Sequence, residues 1–168
     1  MLHGYLIDTQ TVSYWFDANL PQNKNVCDHV NALPSNAPLM VSAITIGEIA
    51  FGHAITTKPD AGKQAAFNKF VQNNFPTPLT ITKSTTIYYS EVRNLLFKKY
   101  PPQGKKQRRP EQCFDPITAR ELGIDENDLW IASQAYERNL VLVTNDSMAR
   151  IRDVAGHLLT VENWTDPI

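Results

Sequence analysis

Four acids, Asp8, Glu48, Asp128 and Asp146, set the chemical question, each standing beside a short apolar run or a helix start. Carboxylates gathered in one place cannot all stay ionised unaided. Two of them about 5 Å apart repel by roughly 3 kcal/mol at an effective dielectric near 20, so such a cluster takes up protons or holds cations. An all-oxygen set suits hard divalent ions, Mg2+ or Mn2+, which keep waters that can be activated. Each acid also has a plainer duty open to it. Asp8 can start a turn, Glu48 can complete a capping box with Thr45, Asp128 can complement a helix dipole, and Asp146 can cap the helix after it.

Whether the acids meet depends on the elements that carry them. In the stretch GIDENDLWIASQAYERNLVLVTND, Asp125 stands where a helix N-cap belongs, and Leu129, Ala132, Ser133 and Tyr136 follow at the spacing of one helical face. The helix is expected to end at Asn139. Residues 140–143 are apolar on both faces, as a central parallel strand requires, and Asp146 lies just past them. Tyr5, Leu6 and Ile7 form a similar strand ending at Asp8, after which Thr9 is expected to cap a helix through Phe16. A third strand is expected at 39–43, followed by the helix of Glu48, the only charge among Ile44, Ile46, Ile49, Ala50 and Phe51. A carboxylate there is costly unless paired or metal-bound. Parallel sheets gather ligands outside the carboxyl ends of their strands, so the four acids are expected at one edge.

Helices are also expected near 26–33, over 62–73 with Ala66, Phe67, Phe70 and Val71 inward, and over 84–99 with Ile87, Tyr88, Val92, Leu95 and Leu96 inward. The last two read as a paired helical arm. A final strand is expected at 157–161, with Trp164 covering the sheet edge. The fold class is therefore α/β, with a central parallel sheet. The 168 residues suit one domain, 1–168, with 42% hydrophobic and 20% charged residues and no repeat. The longest apolar stretch, 38–51, is broken by Gly47 and Glu48 and spans no membrane, so the expected compartment is the cytoplasm. Cys27 and Cys113 form neither a metal spacing nor a disulfide framework, and His3, His29, His53 and His157 give a zinc site little support.

Charge is unevenly spread. Lys98, Lys99, Lys105, Lys106, Arg108 and Arg109 crowd into the start of a proline-broken loop of about 98–122, and removing these six from a net charge of −1 leaves −7. Such a block is either a solvated loop or an arm for the phosphates of a polyanion.

Taken together, YLIDTQTV, VSAITIGEIAFG, DLWIASQA, LVLVTND and the closing NW resemble, over nearly the whole chain and in order, the PIN-domain ribonucleases and among them the VapC-like toxins of bacterial toxin–antitoxin pairs. The resemblance implies a three-layer α/β/α fold and metal-assisted hydrolysis of RNA without a protein nucleophile. It implies that Asp8, Asp128 and Asp146 hold the metal, that Glu48 orients a water or closes the site, and that Thr144 is the supporting polar residue. A VapB-like antitoxin follows from it, and a homodimer is compatible with it. The segment from 100 to 122 is longer and more basic than in compact members of that group. A PIN-like scaffold that binds RNA or a protein without cutting is the alternative. A haloacid-dehalogenase-like phosphatase needs a second Asp two residues after the first, where this chain has Gln10.

Overall fold

The computed structural model describes residues 4–101, 109–115, 117–118 and 120–168. Its contacts separate into two compact units, between which the chain passes at Thr80, Asn139, Asp146 and Thr160. Among the described residues no helix is long and apolar enough to cross a membrane.

The first unit is built on β1 (Tyr5–Ile7), β2 (Leu39–Val41), β3 (Val141–Val143) and β4 (Thr160–Glu162), in the order β2-β1-β3-β4. β1 lies parallel to both neighbours with no stagger: Tyr5 faces Leu39 and Val141, and Ile7 faces Val41 and Val143. Three strands therefore end level, and the residues just past them start at one edge. β3 is buried throughout, as its unbroken apolar run requires, and the Thr144 amide donates to the Glu162 carbonyl at 3.0 Å. The last strand starts later than expected. Leu158 and Leu159 are its apolar approach, and pairing begins only at Thr160.

Against the sheet of this unit, α1 (Thr9–Phe16), α2 (Asn23–Ala32), α3 (Ala43–Ala54) and α4 (Ala61–Asn74) supply a core that includes Val12, Val26, Ile49, Phe67, Val71, Phe75 and Trp164. Aromatic edges lock α4 to α1: Trp15 meets Phe70 and Phe75, and Phe16 meets Phe67, at centroid separations of 5.1–5.7 Å. Trp164 is buried against Tyr5 and His29, as its covering role requires.

The second unit holds α5 (Lys83–Lys99), α6 (Glu126–Arg138) and α7 (Ala149–Ala155), with a 3-10 turn at Pro110–Gln112. α5 packs on α6 and α7. Of the two helices expected as a paired arm, α4 packs with α1 within the first unit, and α5 packs on α6 and α7 within the second. The inward face of α5 also differs, because Ile87 is 66% exposed and the buried stripe is Thr85, Tyr89, Val92 and Leu96. That stripe keeps helical spacing, and Thr85 is admitted because its hydroxyl closes a capping box with Thr82 and reaches Glu137 at 2.6 Å.

α6 follows its sequence signals. Asp125 caps it by accepting the Asn127 amide at 2.7 Å, and Asn139 ends it in the left-handed region at φ 51°. Lys98 and Lys99 belong to the last turn of α5, where Lys99 meets Asp153 at 2.7 Å. The loop thus begins after Lys99, and among its described residues Phe114 bridges Glu121 antiparallel. Lys105, Lys106 and Arg108 lie outside the described residues, and Arg109 is exposed.

Candidate active site

Asp8 is the pivot of the sheet edge. It caps α1, taking the place expected of Thr9: its Oδ1 accepts the Thr11 amide at 2.7 Å. Its Oδ2 accepts the Thr144 hydroxyl, and the side chain is only 5% exposed. Burial pushes the Asp8 carboxyl above its usual range. The Thr144 and Thr11 hydrogen bonds work against that, and the Asp146 charge adds to it. A buried carboxylate beside a second acid is an arrangement a cation would relieve.

Thr144 is the residue that joins two of the acids. Its hydroxyl donates to Asp8 and accepts the Asp146 amide at 3.0 Å, so one buried oxygen fixes both the carboxylate after β1 and the loop after β3. Asp146 itself is exposed, and the helix after it, α7, starts at a left-handed Met148 that supplies no side-chain cap of its own.

Glu48 departs from its capping-box reading. Ser42 caps α3 by accepting the Ile44 amide at 3.1 Å, which places Thr45 inside the first turn and Glu48 in the second. Instead of a capping box, the Glu48 carboxylate accepts the hydroxyl of Thr9, whose oxygen lies 3.2 Å from Thr45 Oγ1. Glu48 and Asp8 are thereby linked through consecutive residues of the chain. Sequence reading missed this part for Thr9, whose only visible signal was a hydroxyl directly after the first acid.

Asp128 lies in the second unit, half-buried in the first turn of α6. At that helix start Asp125 caps, and Glu126 accepts the Tyr89 hydroxyl at 2.5 Å beside Arg93 at 3.7 Å. With Glu126 as acceptor and burial acting first, the Tyr89 hydroxyl is pushed up to about 12. Among the described residues no three His, Cys, Asp or Glu side chains form a group that could hold a metal ion. Cys27 and Cys113 are free thiols.

A parallel sheet whose level strand ends present Asp8 and Thr144, with Asp146 two residues on and Glu48 on the helix after β2, defines a class. Residues 5–156 match the PIN domain family, and the chain belongs to that family. Ribonuclease VapC1 of Haemophilus influenzae (strain R2866) is 29% identical over 163 residues, covering 96% of this chain and 98% of that protein. Among solved structures, VapBC2 from Rickettsia felis bound to a DNA fragment from their promoter aligns with a TM-score of 0.68 at 22% identity, over 95% of this chain and 98% of the other. VapBC-1 from nontypeable H. influenzae aligns with a TM-score of 0.65 at 24% identity, over 96% and 98%.

Proposed function

We propose that this chain is a divalent-metal-dependent endoribonuclease that hydrolyses RNA phosphodiester bonds, and that it acts as a VapC-like toxin restrained by a VapB-like antitoxin. The observation that carries the reading is the Thr144 hydroxyl shared between Asp8 and Asp146 at the edge where three parallel strands end. Likeness to a ribonuclease over nearly the full length of both chains supports the activity.

The donor set fits a hard cation. Asp8 and Asp146 offer only oxygens, each carboxylate oxygen of Asp8 keeps a lone pair beyond its hydrogen bond, and the proton affinity of Asp8 is already raised. By the resemblance to the PIN-domain ribonucleases, Asp8, Asp128 and Asp146 would hold the ion. When bound, Mg2+ or Mn2+ supplies Lewis-acid charge at the phosphodiester and makes a water acidic enough to attack. The chain supplies position. Thr144 and the Thr11 amide hold Asp8 in one orientation, the apolar ends of β1 and β3 pack behind it, and Glu48 would orient a water or help close the site. No serine, cysteine or histidine is needed as nucleophile.

The scaffold reading draws on one observation, the lack of a ready three-acid group among the described residues. Cleavage of total RNA by the purified chain with and without Mg2+, followed by mapping of the new ends, separates the two. Discrete Mg2+-dependent ends support the nuclease, and RNA bound but intact supports the scaffold.

A further inference from the structure

A carboxylate on a helix surface has several rotamers, and Glu48 sits in a part of α3 that also carries Ile46, Ile49 and Phe51. What fixes it comes from another element of the same unit. Thr9, first residue of α1, donates its hydroxyl to Glu48 Oε2, and its oxygen lies 3.2 Å from Thr45 Oγ1. A hydroxyl has one proton to give, and a carboxylate is the stronger acceptor, so Thr9 donates to Glu48. Thr45 is fully buried and stands three residues before Glu48, hence on the same face of α3. Thr9 therefore meets two successive rungs of that face.

Thr9 is well placed to act as a fixed point. It is β-branched and stiff at χ1, its carbonyl accepts the Ser13 hydroxyl at 2.9 Å, and it follows Asp8, itself fixed by two hydrogen bonds. We propose that Thr9 is a positioning residue: its hydroxyl sets the orientation of the Glu48 carboxylate relative to Asp8. This rests on the nuclease reading for its consequence in cleavage, and on the geometry of the first unit alone for the linkage. A threonine here is more than a good first residue of a helix, because that duty needs no hydroxyl aimed at another helix.

The test is a double-mutant cycle on the full chain, comparing wild type, Thr9→Val, Thr9→Ser, Glu48→Gln and Thr9→Val with Glu48→Gln. Two quantities are read: Mn2+ affinity from the electron paramagnetic resonance signal of free Mn2+ without RNA, and single-turnover cleavage of total RNA in Mg2+. Thermal melts establish which variants fold, and Thr9→Ala takes the place of Thr9→Val if the latter does not. Groups that orient a metal-site carboxylate typically matter by ~10–100-fold. Thr9→Val is expected to lose about tenfold in at least one of the two quantities, at the lower end of that range. Thr9→Ser keeps the hydroxyl and should restore most of the loss. The double variant should be no worse than Glu48→Gln, since the hydroxyl then has no carboxylate to set. Independent, multiplying effects of the two sites, a wild-type Thr9→Val, or a Thr9→Ser as poor as Thr9→Val would each overturn the assignment. Wild-type protein that binds Mn2+ with the expected coupling but leaves RNA intact would remove the nuclease reading and leave Thr9 in place. Cleavage with an uncoupled cycle would do the opposite, and a wild type that neither binds Mn2+ nor cuts would remove both.

Discussion

A single threonine oxygen does much of the arranging at the sheet edge. Replacing Thr144 by Val keeps its volume, but withdraws a donor from the buried Asp8 and an acceptor from the Asp146 amide. We expect a loss of about 1.5–3 kcal/mol in stability, the range for hydrogen bonds to charged groups, read from urea unfolding. Asp8→Asn, Asp128→Asn and Asp146→Asn should each lower cleavage by more than the ~10–100-fold typical for groups that only orient a ligand, with the fold intact. Any one of them cutting at the normal rate removes that residue from the site. Asp8 also gives a pH dependence. Its carboxyl titrates above the ordinary 3.8 because burial disfavours the charge, so the folded state holds the proton more tightly than the unfolded chain. The contribution to stability is therefore fully present below the unfolded value and is lost as pH rises through the raised folded value. In metal-free protein, Asp8→Asn should remove that decline and melt higher than wild type at neutral pH. An unchanged pH profile of the melting temperature in Asp8→Asn would show that burial is not felt at Asp8.

At the scale of elements, legibility followed locality. α6 and β3 could be read because their signals lie within a few residues: Asp125 as cap, Asn139 as a left-handed end, and an apolar run between turns. Where two hydroxyl residues competed, the reading slipped. Thr45 and Glu48 have capping-box spacing, but β2 ends at Val41, so Ser42 is the first residue free to cap and Glu48 is released for Thr9. That bond spans 39 residues, and no local pattern announces it. α7 was legible only in outline because it starts without a side-chain cap. The inward face of α5 was misjudged at Ile87, where residue type suggested burial and helical phase, set by Tyr89, Val92 and Leu96, opposes it. The left-handed end of α6 is open to test. Asn139 already carries the Cβ that costs about 1–2 kcal/mol in that conformation, so Asn139→Ala should lose only part of that amount, the share its short polar side chain offsets, whereas Asn139→Gly should be neutral or stabilising. Denaturant unfolding of the two variants gives the sign directly.

For the whole molecule, the order of the acids along the chain and the level strand ends carry more weight than any single motif. Replacing Lys105, Lys106, Arg108 and Arg109 by Ala should weaken RNA binding and flatten its salt dependence, each lost contact lowering the logarithmic slope by about 0.7 for single strands. Saturated turnover should hold, because binding shared equally by ground and transition states leaves the chemical step alone. An unchanged slope would reduce the cluster to a solvated loop. Expression of the chain by itself should arrest growth, and a VapB-like neighbour should relieve it. Harmless expression of an active enzyme would point to RNA processing and away from a toxin. The most direct measurement sets wild type beside Asp146→Asn on total RNA, in Mg2+ and in EDTA, with RNA affinity measured in parallel. The expected result is discrete ends from wild type in Mg2+ alone, with the variant binding RNA equally well and cutting none of it. Equal cleavage in EDTA, or cleavage by Asp146→Asn at the wild-type rate, would contradict the account.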